Sequence, residues 1–171
     1  MEQRLVGQRL PVLRRVGEQL RGAIYDLQLG TEQRPFVELV EQLVGEHRAM
    51  AGDSEIELQI GDGVPTGSAG VKGVEVLRIL GEALTNPRPN ADARHIRVQM
   101  RSANERLWTE VSDDGLGFDT TSPASPLHHG IRGTHERAGR LRGHLEIDSE
   151  PGVGTTVRLE VNPTDAESAD A

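Results

Sequence analysis

The chain has 171 residues, contains no cysteine and carries 27 acidic and 19 basic side chains, which give it a formal net charge of −8. This length allows one core that buries roughly two-thirds of the unfolded surface without disulfides, and the missing cysteines exclude thiolate metal sites. The negative charge and an aromatic content of 2% argue against direct nucleic-acid binding, and the lack of an apolar run of roughly 20 residues predicts a soluble segment outside the membrane.

The first predicted element is a helix over residues 12–28. Such a helix would carry one narrow apolar stripe, because its apolar residues recur at alternating intervals of three and four; they are Leu13, Val16, Leu20, Ala23 and Leu27. The stripe is typical of a helix bundle or a coiled-coil seam, and a helix that folds back onto its own domain is the alternative. The segment from Gly30 to Pro35 interrupts the pattern and is predicted to be a linker.

Helical and strand patterns alternate after the linker. The predicted elements are a helix at 35–47, a strand at 55–60, a helix at 71–86, strands at 95–101 and 105–112, an irregular stretch at 119–129, a helix at 131–142, and strands at 144–149 and 154–161. This order predicts an α+β fold, a two-layer α/β sandwich whose mixed sheet is covered on one face by helices. The acidic, polar tail at 162–171 is predicted to be disordered.

Glu82 and Asn86 lie near the end of the predicted helix at 71–86. They are four residues apart, so they share one helix face. A carboxylate there can orient an attacking group or accept its proton, and an amide oxygen can bind Mg²⁺ beside nucleotide phosphates. An ordinary solvated helix face is the alternative for this pair considered alone.

The strand at 105–112 runs into the sequence Asp-Asp-Gly-Leu-Gly. The carboxylate of its first residue, Asp113, can accept a hydrogen bond from the exocyclic amine of adenine. Gly115 and Gly117 allow the backbone to approach a ligand closely and to adopt positive φ angles. Because Asp-Gly is also a common turn pair, a simple strand-ending turn is the alternative.

Gly130 and Gly133 open the predicted helix at 131–142, where free backbone N–H groups can bind a phosphate. The preceding stretch at 120–129 is polar and contains prolines, as expected for a mobile lid. Thr155 begins the last strand, and its hydroxyl can support a phosphate or adenine pocket. Taken singly, these features are also explained by an ordinary loop-to-helix junction and a hairpin.

Four clusters in this order resemble the ATP-binding domain of sensor histidine kinases, a Bergerat-type fold of the GHKL ATPase superfamily; they are EALTN at 82–86, DDGLG at 113–117, GIRGTHERA at 130–138 and GVGTT at 152–156. The resemblance covers about residues 36–161 and implies an ATP-binding domain over 31–161. The segment Arg21–Leu27 is similar to a subfamily whose response regulators carry a LuxR/NarL-type helix-turn-helix. Residues 1–30 would then be the C-terminal part of the dimerisation and phosphoacceptor helix.

The resemblance implies a role for each cluster. Glu82 would assist phosphoryl transfer, Asn86 would bind Mg²⁺ and Arg88 would keep one positive charge at the ATP site. Asp113 would bind adenine, and the remaining positions would shape the pocket, border the phosphates or support adenine; they are Gly115, Gly117, Gly130, Gly133 and Thr155. The implied cofactors are ATP and Mg²⁺. The implied partners are the phosphoacceptor helices of the same kinase, as a cytoplasmic homodimer, and a response regulator.

The sequence departs from the family pattern at two places. No histidine precedes Arg21, because all six lie within the ATPase region; we therefore expect ATP binding without self-phosphorylation, as in a fragment of a longer kinase or a partner supplied with the acceptor helix in trans. Pro87 disfavours helical geometry at Asn86 and predicts that the helix ends there. The competing functions are a non-catalytic nucleotide-binding or dimerisation module, and an anti-sigma-factor-like serine kinase, which the segment Arg21–Leu27 disfavours.

Overall fold

The computed structural model describes residues 33–85, 93–120 and 128–162, with the side chains of the last range described from Arg132 onward. The chain divides after Gln33, and the unit that begins at Arg34 holds every element described below. The helix predicted at 12–28 and the domain assigned to residues 1–30 lie outside the described residues. So does the tail beyond Asn162.

Helices and strands follow one another in the predicted order. They are α1 (Phe36–Met50), β1 (Glu55–Ile60), α2 (Gly70–Thr85), β2 (His95–Ala103), β3 (Arg106–Asp113), α3 (His128–Arg140), β4 (His144–Glu150) and β5 (Gly154–Val161). Hydrophobic periodicity was sufficient to predict them because each element has one buried face. The predicted α+β class is confirmed.

The five strands form one mixed sheet in the order β1-β2-β3-β5-β4. Strands β1 and β2 are parallel and are joined through α2, as a parallel pair requires a crossover connection. The other neighbours are antiparallel. Asn104 and Glu105, between β2 and β3, both have positive φ, which is the backbone of a type I′ hairpin turn.

The helices cover one face of the sheet. Along β2, Ile96, Val98 and Met100 are buried and alternate with more exposed residues, as expected when only one face packs on a core. Helix α2 contacts both neighbouring helices and β3, and Leu77 and Leu84 on it are completely buried. The helix that carries Glu82 is therefore a fixed part of the core. None of the helices in the described ranges is long and apolar enough to span a membrane.

Candidate functional site

Asp113 is the last residue of β3, where it pairs with Ile96 on β2 and with Thr155 on β5. The backbone amide of Gly115 donates to its Oδ1 over 2.9 Å. Burial raises the pKa of Asp113 above its ordinary value, and backbone hydrogen bonds from Gly115 and Thr155 oppose this rise. The side chain is thus a half-buried, oriented acceptor, which suits an amine donor on a ligand.

Two glycines let the turn after Asp113 pack against the β4–β5 hairpin. Gly117 has a φ of +57°, and a Cβ there would lie 2.1 Å from the carbonyl oxygen of Glu150. Gly154 has a φ of +121°, and its Cβ would lie 2.0 Å from the carbonyl oxygen of Asp113. The positive φ predicted for both glycines of the turn is confirmed at Gly117, whereas Gly115 does not have a positive φ. The need for Gly154 was not predicted, because it depends on a strand pairing distant in sequence.

Hydroxyl groups add a second link between this turn and the hairpin. The backbone amide of Phe118 donates to Oγ of Ser149 over 2.9 Å. The same Ser149 hydroxyl lies 2.9 Å from Oγ1 of Thr155. Thr155 therefore lies beside Asp113 through the strand register and beside the following turn through Ser149. Its hydroxyl and amide both support the candidate pocket wall.

Asp114, for which the sequence alone indicates no role, joins this turn to the start of β2. Its Oδ1 accepts the backbone amides of Arg94 and His95 over 2.7 and 2.8 Å, and its Oδ2 lies 2.7 Å from Nδ1 of His95. Backbone and side-chain hydrogen bonds from His95, with the Arg94 amide, lower the pKa of Asp114 to about 2. The carboxylate therefore joins the turn after β3 to the start of β2, whose donors lie 19 and 20 residues earlier in the chain.

Replacing Asp114 with asparagine is expected to lower the free energy of unfolding by about 1 kcal/mol at neutral pH. The effect is this small because the side chain is exposed and solvent screens its charge. Because its folded pKa is lowered from 3.8, its stabilising contribution is complete above the unfolded pKa and is lost as the pH falls through about 2. Urea unfolding at a series of pH values measures this. A difference from wild type that stays constant down to pH of about 2 would contradict the assignment.

Glu82 lies half-buried in the last turn of α2. The end of this helix is tied down by Thr85, whose hydroxyl donates to the carbonyl of Gly81 over 2.8 Å. Nε2 of the buried His47 on α1 lies 3.5 Å from the same hydroxyl. Glu82 therefore belongs to an anchored helix end. Asn86 and Arg88, and the predicted helix end at Asn86, lie outside the described residues.

Helix α3 begins at His128, three residues before the predicted start. Gly130 is therefore in the first turn, where backbone N–H groups have no partner within the helix. Gly133 is in the second turn, so its amide belongs to the helix interior and not to the free donors, contrary to the expected geometry. A Cβ on Gly133 would meet nothing within 4 Å, so this position opens space beside the helix. The lid predicted at 119–129 lies largely outside the described residues.

Among the described side chains, at 33–85, 93–120 and 132–162, no group of three or more His, Cys, Asp or Glu could hold a metal ion. The structure brings four of the predicted site residues together at one end of the sheet; they are Asp113, Gly115, Gly117 and Thr155. It places Glu82 on α2, which contacts both β3 and α3. A carboxylate acceptor, a glycine-rich turn and a helix N-terminus are the parts that a nucleotide site needs.

Known proteins resemble this chain in sequence. An uncharacterized sensor-like histidine kinase of Chloroflexus aurantiacus is 32% identical over 158 residues, which are 88% of this chain and 26% of that protein. The signal transduction histidine-protein kinase/phosphatase DegS of Brevibacillus brevis is 32% identical over 94 residues, 55% of this chain and 24% of that protein. This chain is homologous to sensor histidine kinases. It spans about a quarter of the length of these curated relatives, and no family model matches it.

Solved histidine kinases share the fold. The histidine kinase domain of a blue-light activated histidine kinase from Erythrobacter litoralis superposes with a TM-score of 0.67 at 16% identity, over 86% of this chain and 74% of that one. Full-length ShkA in complex with AMPPNP gives 0.61 at 18% identity, over 95% of this chain and 39% of that one. The expected histidine kinase ATPase fold is therefore confirmed.

Proposed function

We propose that this chain is the ATP-binding catalytic domain of a two-component sensor histidine kinase. It would donate the γ-phosphoryl group of ATP to a histidine outside the chain, for relay to a response regulator. The observation that supports this most is the oriented, half-buried carboxylate of Asp113 at the end of β3, with Gly115 and Thr155 as its backbone donors. The homology to sensor histidine kinases supports the interpretation of this acceptor as part of an ATP site.

Asp113 would select adenine. Its carboxylate would accept a hydrogen bond from the exocyclic amine, whereas guanine presents a carbonyl oxygen at that position and would be repelled. Gly115 presents no side chain, so the base could lie against the backbone of the turn, and Gly117 lets that turn pack on the β4–β5 hairpin that supports it. The ATP analogue AMPPNP is bound by ShkA, and we propose that this chain binds ATP in a comparable way.

The phosphates would lie near the start of α3. Gly130 is in its first turn, where free N–H groups and the helix dipole favour negative charge. Open space beside Gly133 would accommodate the phosphate chain. We propose Asn86 as the protein ligand of Mg²⁺, which would neutralise phosphate charge, and Arg88 as an additional positive charge at the site.

Glu82 would act on the incoming imidazole. A nitrogen of the acceptor histidine would form a bond to the γ-phosphorus while the bond from that phosphorus to the bridging oxygen breaks and ADP leaves. The Glu82 carboxylate would orient the imidazole and take up the proton that it loses. The acceptor would be supplied by the dimerisation helices of the same kinase. A cytoplasmic homodimer formed through residues 1–30 and a regulator with LuxR/NarL-type output complete the proposal.

Replacing Glu82 with glutamine is expected to leave Mg-ATP affinity within a few-fold and to slow transfer by about 10²- to 10⁴-fold, the range for loss of a positioned proton acceptor. Calorimetry measures the affinity. Transfer is measured with radiolabelled ATP and a histidine-bearing dimerisation domain added in trans. The matched control is Glu41→Gln on α1, which removes an exposed carboxylate of the same kind.

The same experiment separates the competing functions. No binding of ATP at millimolar concentration would favour the non-catalytic interaction module. Binding without transfer by the wild-type chain would favour a nucleotide-binding module. Equal transfer rates for wild type and Glu82→Gln would remove Glu82 from the mechanism while leaving the kinase assignment in place.

A further inference from the structure

A buried charge pair joins α2 to α3. Glu75 on α2 is only 8% exposed. One of its carboxylate oxygens accepts a hydrogen bond from the side chain of Arg78. The other, Oε2, lies 3.6 Å from Nη1 of Arg137 on α3 and has no hydrogen-bond partner among the described residues. A buried carboxylate is costly unless it is paired, so these two arginines are what makes its burial tolerable.

The described part of helix α3 contributes little large apolar surface to the core. From Arg132 onward it buries only Thr134 and Ala138, both small side chains. In contrast, α2 buries a long row of large apolar residues. Small contacts give little hydrophobic stabilisation. The contact between Glu75 and Arg137 is therefore a charged contribution to the packing of α3 against α2.

The pair lies on the parts of both helices that lead into the candidate site. Glu75 precedes Glu82 by seven residues, which is two helical turns, so both lie on the same face of α2. Arg137 follows Gly133 by one turn and Gly130 by two. A shift of α3 at Arg137 is thus transmitted along a rigid helix to the turns proposed to border the phosphates.

We propose that Glu75 and Arg137 are positioning residues that set the spacing between α2 and α3, and with it the width of the phosphate part of the site. The inference rests on the proposed nucleotide function. At 3.6 Å the contact between Oε2 and Arg137 is longer than a hydrogen bond. A distance about 0.7 Å shorter would make it a charge-assisted hydrogen bond. A shift of α3 toward α2 by that distance would therefore satisfy the unpartnered oxygen.

The test separates the phosphate part of the site from the adenine part. Arg137→Met keeps an unbranched apolar stem and removes the charge. It is expected to raise the Kd for Mg-ATP about tenfold and to leave the Kd for adenosine unchanged, because adenine is held by Asp113 on β3. Arg137→Lys should recover most of the Mg-ATP affinity. The matched control is Arg140→Met, an exposed position on the same helix, which should change neither constant.

Equal weakening of both ligands, or no change in either, would overturn the positioning role. A second measurement does not need nucleotide. Amide hydrogen exchange across α3 should be faster in Arg137→Met than in Arg140→Met, because the helix has lost its charged contact to α2. If the wild-type chain binds neither ligand, the proposed function fails. Hydrogen exchange then remains as the test of whether the Glu75–Arg137 contact fixes α3 against α2. Identical exchange in Arg137→Met and Arg140→Met would show that it does not.

Discussion

Replacing Asp113 with asparagine is expected to weaken ATP binding by about 10- to 100-fold. The variant loses a hydrogen bond to a charged acceptor, worth about 1.5–3 kcal/mol. It also presents an amide nitrogen that can repel the adenine amine. Asparagine keeps a carbonyl oxygen for the Gly115 amide, which donates to Asp113 over 2.9 Å, so the turn should stay folded. Calorimetric titration with Mg-ATP measures the change.

Asp62→Asn is the matched control for this variant. Asp62 is exposed and lies in the turn after β1, near Ser102 on β2, whereas Asp113 pairs with Ile96. Six residues along a strand are about 20 Å, so the control removes the same charge far from the site. Wild type should also prefer ATP to GTP, and Asp113→Asn should reduce this preference. Unchanged affinity and preference would contradict adenine recognition by Asp113.

Acidic pH should reproduce the effect in the wild-type chain. Adenine binding requires the carboxylate form of Asp113, and burial raises the pKa of this group above 3.8. Affinity is therefore expected to fall as the pH decreases through a value higher than that of an ordinary aspartate. Asp113→Asn should lack this transition, which ties the pH dependence to one residue.

The fold was predictable from sequence because its elements have strong periodic patterns. Strand alternation along β2 and β3 and the apolar faces of α1 and α2 each reflect a single buried side. The start of α3 was placed too late. Histidine and glycine have low helix propensity, so His128, His129 and Gly130 give no helical signal in the sequence.

The candidate site was predictable only where a motif is local. Asp113, Gly115 and Gly117 lie within five residues, and their chemistry can be inferred from that segment alone. The hydrogen bonds of Asp114 could not be inferred, because its donors lie 19 and 20 residues earlier, at His95, where β2 begins, and at Arg94 just before it. Side-chain type gives no indication of such a partner. Only the pairing of β2 with β3 brings the groups together.

The sequence of α2 contains an indication of the Glu75–Arg137 contact. Glu75 stands in the apolar run Val-Glu-Val-Leu of α2, where an acidic side chain must either interrupt a buried face or find a cation. One partner, Arg78, is three residues later on the same helix, whereas the other, Arg137, is 62 positions later on a helix whose own pattern is weakly apolar. A lone acid in a buried helical stripe therefore indicates a long-range charge pair, although the sequence does not identify the cation.

Replacing Gly154 with alanine is expected to destabilise the chain by about 3 kcal/mol or more and to weaken ATP binding at the same time. Its Cβ would lie 2.0 Å from the carbonyl oxygen of Asp113, at a φ of +121° that other residues rarely adopt. Relieving this clash requires one of the two backbones to shift, and because the clash is with the carbonyl of Asp113, the shift should displace Asp113 and weaken the β3–β5 pairing. Urea unfolding and calorimetric titration with Mg-ATP measure the two effects.

Two other glycines separate the causes of that destabilisation. Gly152→Ala has a φ of +84° with nothing within 4 Å of the added carbon, so it should cost only about 1–2 kcal/mol of backbone strain. Gly45→Ala in α1 has open space and no positive φ, and should stabilise by about 0.5–1 kcal/mol. If Gly154→Ala unfolds at the same urea concentration as Gly152→Ala, the close approach to Asp113 is not what requires glycine. If it is destabilised further and ATP affinity falls with it, the β4–β5 hairpin is part of the adenine site.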